Sequence, residues 1–96
     1  MQIKWTDLAD RDLDEIEVYI TKSNSPRVAV DVILRIVTVT ELMLTNHPNS
    51  GRLGRHKGTR ELIVDRVPFI VIYRITGDQI HVLRVLHDSQ QWPSAN

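Results

Sequence analysis

The sequence predicts an α+β domain: an N-terminal helical hairpin packed on a small, mainly antiparallel, curved sheet, in the order β-α-α-β-β-β. Three observations carry this. Between Thr59 and His87 stand three short runs, TRELIVD, RVPFIVIYRI and QIHVLRVLH, rich in the β-branched and aromatic residues that suit a pleated surface. Two earlier stretches repeat apolar residues at helical spacing. Both faces of the implied sheet are mostly apolar, and the helices suffice to cover only one of them well.

In order along the chain, Gln2–Trp5 reads as a brief edge strand. Thr6 supplies a hydroxyl cap, and Asp7 and Asp10 suit the positive end of a helix dipole. Ala9, Leu13, Ile16 and Ile20 then recur four, three and four apart, an amphipathic helix to about Lys22. Its other side carries Asp7, Asp10, Asp14 and Glu17, read as a solvated stripe rather than catalytic carboxylates, since nothing buries them. Ser25 and Pro26 restart the helix, Ser as cap and Pro at the first position. The second helix runs to about Asn46. Its polar stripe of Arg27, Asp31, Arg35, Thr38 and Glu41 is narrow, and Asp31 and Arg35 are spaced to pair. The apolar remainder is wider than one neighbour can cover, which leaves surface for a partner.

After Asn46 comes a basic, Gly-punctuated loop, GRLGRHKG. Its glycine spacing fits no nucleotide-binding fingerprint, and no helix follows it. In the sheet, Gly77-Asp78 marks a tight hairpin, because Gly tolerates positive φ. Pairing Thr76 with Gln79 places Phe69, Val71, Tyr73 and Ile75 on one face with Leu86, Arg84, Val82 and Ile80. Ile70, Ile72 and Arg74 share the other with Val85, Leu83 and His81, and His87 lies at its far end. Arg84 would then face the helices and need a partner such as Glu41 or a carbonyl.

The 96 residues, with no cysteine, are expected to form one domain over residues 1–96 without disulfides or thiolate metal sites. No apolar run approaches the roughly 20 residues of a membrane span, and no secretory leader pattern precedes the fold. The protein is therefore expected in the cytoplasm, not on a membrane. The net charge is zero but uneven: residues 1–48 hold five Lys/Arg and eight Asp/Glu, residues 49–96 seven and four. Arg52, Arg55, Lys57, Arg60, Arg66 and Arg74 cluster against only Glu61 and Asp65. Such a patch is either a solvated surface or a site for an anionic partner, nucleic acid or acidic peptide. The four histidines show no metal-ligand spacing, so no metal or other cofactor is expected.

Trp5-Thr6, Ala9, Asp12-Leu13, Ile16 and Tyr19-Ile20 on the first helix begin a longer pattern. It continues through His47-Pro48, Gly51-Arg52, Gly58-Thr59-Arg60-Glu61-Leu62 and Tyr73-Arg74-Ile75 to Val85-Leu86-His87. Taken in this order the pattern resembles the RelE/ParE superfamily of toxins from type II toxin–antitoxin operons, over nearly the whole chain. The resemblance is nearest to ParE-like members, through the Leu-His-Asp ending and the tail with Trp92.

That resemblance implies a growth-arresting toxin neutralised by a cognate antitoxin that wraps it in a hetero-oligomer. Operator DNA would be reached only indirectly, through the antitoxin. ParE-like members poison DNA gyrase and perform no chemistry of their own; RelE-like members cleave mRNA on the ribosome with a cationic cluster on the open sheet face. Where nuclease members carry an Arg on the middle strand, this sequence has Ile70. His87 falls near a catalytic His of some nucleases, but Asp88 follows it where Tyr is frequent. A lost phosphate clamp would remove several kcal/mol of transition-state stabilisation. The sequence therefore favours the gyrase poison, with a ribosome-dependent mRNA endonuclease using His87 as the alternative and a binding module acting only as co-repressor as a third reading. The residues expected to touch antitoxin or target are Arg52, Arg55, Arg60, Arg66, Ile70, Ile72, Arg74, His87 and Trp92.

Overall fold

The structure, a computed structural model, describes residues 1–90. Its elements are β1 (Gln2–Trp5), α1 (Asp7–Ser23), α2 (Pro26–Asn46), β2 (Arg52–Leu53), β3 (Arg60–Ile63), β4 (Phe69–Thr76) and β5 (Gln79–His87). The sheet order is β1-β5-β4-β3-β2. All neighbours are antiparallel except β1, which lies parallel to β5. The α+β architecture is therefore as the sequence predicts, with one addition. The basic loop contributes a two-residue edge strand, because Arg52 and Leu53 pair with Glu61 and Arg60.

Both helix starts follow from their caps. The Thr6 hydroxyl accepts the Ala9 N–H and also donates to the Val82 carbonyl at 2.9 Å, fixing α1 to β5. Ser25 accepts the Val28 N–H, with Pro26 at the first turn of α2. The core lies between the helices and one face of the sheet. Ala9, Ile20, Ala29, Ile36 and Leu44 meet Val71, Tyr73, Ile80, Val82 and Val85 there, all essentially buried. Asp7, Asp10, Asp14 and Glu17 are exposed, as a solvated stripe should be. Arg35 does not take Asp31. It crosses to the β3–β4 turn, donating to the Asp65 carbonyl at 2.6 Å and to its carboxylate at 3.3 Å, while Asp31 sits 3.8 Å from Arg27.

The β4–β5 hairpin begins in the expected register, Thr76 opposite Gln79, with Gly77 at φ 61°. It holds as far as Tyr73 opposite Val82, then slips by one residue at a bulge, so that Ile72 faces Arg84 and Val71 faces Val85. A one-residue slip exchanges the faces of everything beyond it. Val85 accordingly joins the core beside Val71, whereas Leu86 and Arg84 leave the helix-covered face on which the simple alternation put them. His87 pairs with Phe69 instead of standing in the row of Ile70, and its ring meets Phe69 edge-on at 5.6 Å.

Several large apolar side chains stay outside the core. Val30, Leu34 and Leu42 of α2, and Leu8, Val18 and Tyr19 of α1, are all exposed.

Candidate functional site

The face of the sheet turned away from the helices is crossed by one row of residues, Arg52, Glu61, Ile72 and Arg84, in register on β2, β3, β4 and β5. Each guanidinium in that row is held by its own carboxylate. Glu61 is 6% exposed; its Oε1 accepts from Arg52 Nε and Nη2 at 3.1 and 2.9 Å, and its Oε2 from the Arg55 backbone N–H at 3.3 Å. At the other end, Asp12 of α1 is equally buried. Its Oδ2 accepts from Arg84 Nε at 2.8 Å and from the Val85 N–H at 2.9 Å, and its Oδ1 from Arg84 Nη2 at 3.0 Å. A charge removed from water needs this kind of saturation by hydrogen bonds. The Asp12 hydrogen bonds also push the Arg84 pKa above its ordinary value, against the opposing effect of burial.

Between the two ion pairs the face is packed rather than open. Ile72 is 3% and Leu86 6% exposed, though neither belongs to the main core, and Ile70 is half-buried. The gap among Arg55, Glu61, Ile70, Ile72, Leu86, His87 and Gln90 measures about 10 Å³, room for about one water. Of the apolar residues named for contact, Ile70 is partly accessible and Ile72 is shielded. The exposed aliphatic on this side is instead Ile63 of β3.

His87 stands at the sheet's end. Its Nδ1 accepts the Ser89 backbone N–H at 3.1 Å and lies 2.8 Å from the Ser89 hydroxyl, which leaves the proton of the neutral ring on Nε2. If the ring were charged, Nδ1 would face the Asp88 carboxylate at 3.1 Å. Among the described residues, no Arg or Lys side chain hydrogen-bonds to it.

The basic patch divides in two. Arg52 is paired with Glu61, and Arg66, at φ 72°, lies 3.6 Å from Asp65. Arg60 turns to backbone instead, donating from Nη1 to the Asn49 and Gly51 carbonyls at 3.2 and 2.8 Å. Arg55, Lys57 and Arg74 are exposed, and no carboxylate of the described residues pairs with them or with Arg60. Trp92 lies outside the described residues. Among those residues there is also no cluster of three His, Asp or Glu that could hold a metal, and no helix long and apolar enough to cross a membrane.

Three organising residues escape the sequence reading. Asp12 had a signal: three after Ala9 and four before Ile16, it falls on the buried stripe of α1. Glu61 had none, because its partner arrives through the unexpected strand β2. Tyr73 is fully buried, and its hydroxyl donates to the Pro48 carbonyl at 2.6 Å while accepting the Gly51 N–H at 2.9 Å. Burial raises its pKa above 10.0, opposed by the Gly51 bond, the Arg60 charge and Ser50.

Comparison with known proteins agrees with this architecture. Residues 3–92 match the family model of the ParE toxin of type II toxin–antitoxin systems (parDE). The chain is 47% identical over 92 residues to Y4kP, a candidate toxin of Sinorhizobium fredii, covering 96% of this chain and 93% of that one. It is 34% identical over 86 residues to toxin RelE2 of Caulobacter vibrioides, covering 90% and 93%. A chain of the chromosomal ParDE system of P. aeruginosa superposes with a TM-score of 0.81 at 32% identity, covering 91% of this chain and 95% of that one. A chain of the RelBE2 toxin–antitoxin complex of Mycobacterium tuberculosis shares the fold, with a TM-score of 0.62 at 24% identity over 90% and 95%. The chain belongs to the ParE family of toxins of type II toxin–antitoxin systems.

Proposed function

We propose that this toxin arrests growth in the cytoplasm by binding DNA gyrase, performs no bond chemistry itself, and is neutralised by a cognate antitoxin in a hetero-oligomer. The observation that carries the reading is the row across the front of the sheet. Phosphodiester cleavage needs free cations for the developing charge and a positioned acid–base pair. Here both guanidiniums of the row are committed to carboxylates, Glu61 and Asp12, and His87 is engaged by its own turn. A toxin built this way acts by occupying a protein surface. The exposed apolar side chains of both helices supply surface for the antitoxin.

The test is a supercoiling assay with purified protein and gyrase. Loss of supercoiling or accumulation of cleaved DNA is expected, with no cut mRNA in a translation reaction. A second reading, a ribosome-dependent endonuclease, has one point in its favour, the 34% identity to toxin RelE2. It requires mRNA cuts in the ribosomal A site that disappear in His87→Ala. Overexpression without growth arrest would instead favour a chain that serves only as co-repressor.

A further inference from the structure

Where the loop after α2 crosses the outer strands, on the helix-bearing side of the sheet, lies a cleft of about 400 Å³ lined by Asn49, Leu53, Gly58, Thr59, Arg60 and Ile75. Its walls are unlike the front of the sheet. Leu53 is 79% exposed, the most exposed of the large hydrophobic residues among those described, and Ile75 is half-buried. Arg60 stands between them, opposite both Leu53 and Tyr73 in the strand register.

The chemistry of Arg60 sets the cleft apart. A guanidinium carries five N–H donors, and the two carbonyls of Asn49 and Gly51 are both reached from Nη1. The remaining donors keep their capacity, and the positive charge is met by carbonyl dipoles rather than by an anion. The two backbone contacts hold the fork in place before any ligand arrives, which lowers the ordering cost of binding. More charge stands at the rim. A β-carbon placed on Gly58 would lie 3.7 Å from Arg74 Nε, and Lys57 is exposed beside it. Glu61, the one carboxylate of residues 49–64, is spent on Arg52 and the Arg55 N–H.

We infer that this cleft is the seat of an acidic segment of the antitoxin: a carboxylate forks onto Arg60 while a neighbouring aliphatic side chain packs between Leu53 and Ile75. The inference rests on the toxin–antitoxin reading above and names the chemistry of the segment that docks here. Bidentate carboxylate recognition is what a pre-positioned Arg does best. The exposed leucine selects a peptide over a nucleic acid, since a phosphate backbone offers nothing apolar to cover it. Arg74 and Lys57 would steer the approach of such a segment and make its arrival sensitive to salt.

The experiment measures fluorescence anisotropy of the full-length protein with three labelled probes: a short peptide alternating leucine and glutamate, the same peptide with lysine for glutamate, and a short single-stranded DNA. Only the acidic peptide is expected to bind, more weakly as salt rises. Leu53→Asp and Arg74→Glu, both at exposed positions that leave the core untouched, should each weaken it by roughly tenfold or more. Arg60→Lys, which keeps the charge and loses the fork, should weaken it as well. No binding of the acidic peptide, tighter binding of the DNA, or affinities unchanged in Leu53→Asp and Arg74→Glu would overturn the proposal. Growth arrest on expression of the unaltered chain is scored separately. Its absence would count against the toxin reading, whereas arrest together with an indifferent cleft would count against the cleft alone.

Discussion

Asp12→Ala should be the most costly single change in this toxin that leaves the hydrophobic core alone. The carboxylate accepts three hydrogen bonds, two from Arg84 and one from the Val85 N–H, and its side chain is only 6% exposed. Removing it strands two groups at once. The Arg84 side chain, 22% exposed, would keep a charge with no counterion, a situation that costs about 3–5 kcal/mol when the site is buried. The Val85 N–H at the β5 edge would lose the carboxylate that accepts it, which by itself costs about 1–3 kcal/mol. Because Arg84 can swing partly into water, these do not simply add, and a total of about 3 kcal/mol is expected. For a domain of this size that corresponds to a fall in Tm of roughly 12–24 °C. Urea denaturation followed by tryptophan fluorescence measures it, with the m-value checked for constancy. The double variant Asp12→Ala with Arg84→Met removes the stranded charge, so it should recover at least about 1 kcal/mol relative to Asp12→Ala alone. A loss under about 1 kcal/mol for Asp12→Ala, or a double variant less stable than the single one, would refute the account of this pair.

Three further outcomes follow from the same geometry. Tyr73→Phe should cost about 1–2 kcal/mol, because it leaves the Pro48 carbonyl and Gly51 N–H without a partner. It should also flatten the alkaline limb of the stability curve: the tyrosine's folded pKa is raised by burial, so its contribution is whole below about pH 10 and fades as pH climbs from there through the folded value. Gly51→Ala should destabilise more than Gly77→Ala in the same urea assay. A β-carbon at Gly51 would stand 2.7 Å from the buried Tyr73 ring, whereas at Gly77 nothing lies within 4 Å and only the positive φ resists, by about 1 kcal/mol. His87→Ala should leave growth arrest in an induction assay at the level of the unaltered chain. Loss of arrest in a variant that still folds would point back to the endonuclease reading.

Local chemistry made most of the fold legible. The caps at Thr6 and Ser25, the helical spacing from Ala9 to Ile20, and Gly77-Asp78 each placed an element where the structure has it. What could not be read were effects of residues far apart in the chain. The bulge near Leu83 carries no Gly or Pro to announce it, yet it decides which of Val85 and Leu86 enters the core. The partner of Arg84 is Asp12 rather than Glu41, which binds the Trp5 indole N–H instead. At the candidate site, the run from Arg52 to Arg74 was visible as charge, but not its division. Arg52 and Arg66 sit beside carboxylates, while Arg60 is anchored to backbone carbonyls. That division depends on where β2 and the loop before it come to lie, and no local pattern encodes it.

The parallel docking of Gln2–Trp5 on Gln79–Val82 means that β1 must wait for β5, a strand far along the sequence, before it has a place to sit. During synthesis the two α-helices can form early, but the edge that fastens them to the sheet does not exist until β5 has emerged, and closing so long a loop is slow by nature. The first strand in the sequence is therefore the last to be seated in the sheet, and the helices stay unfastened along that edge until it is.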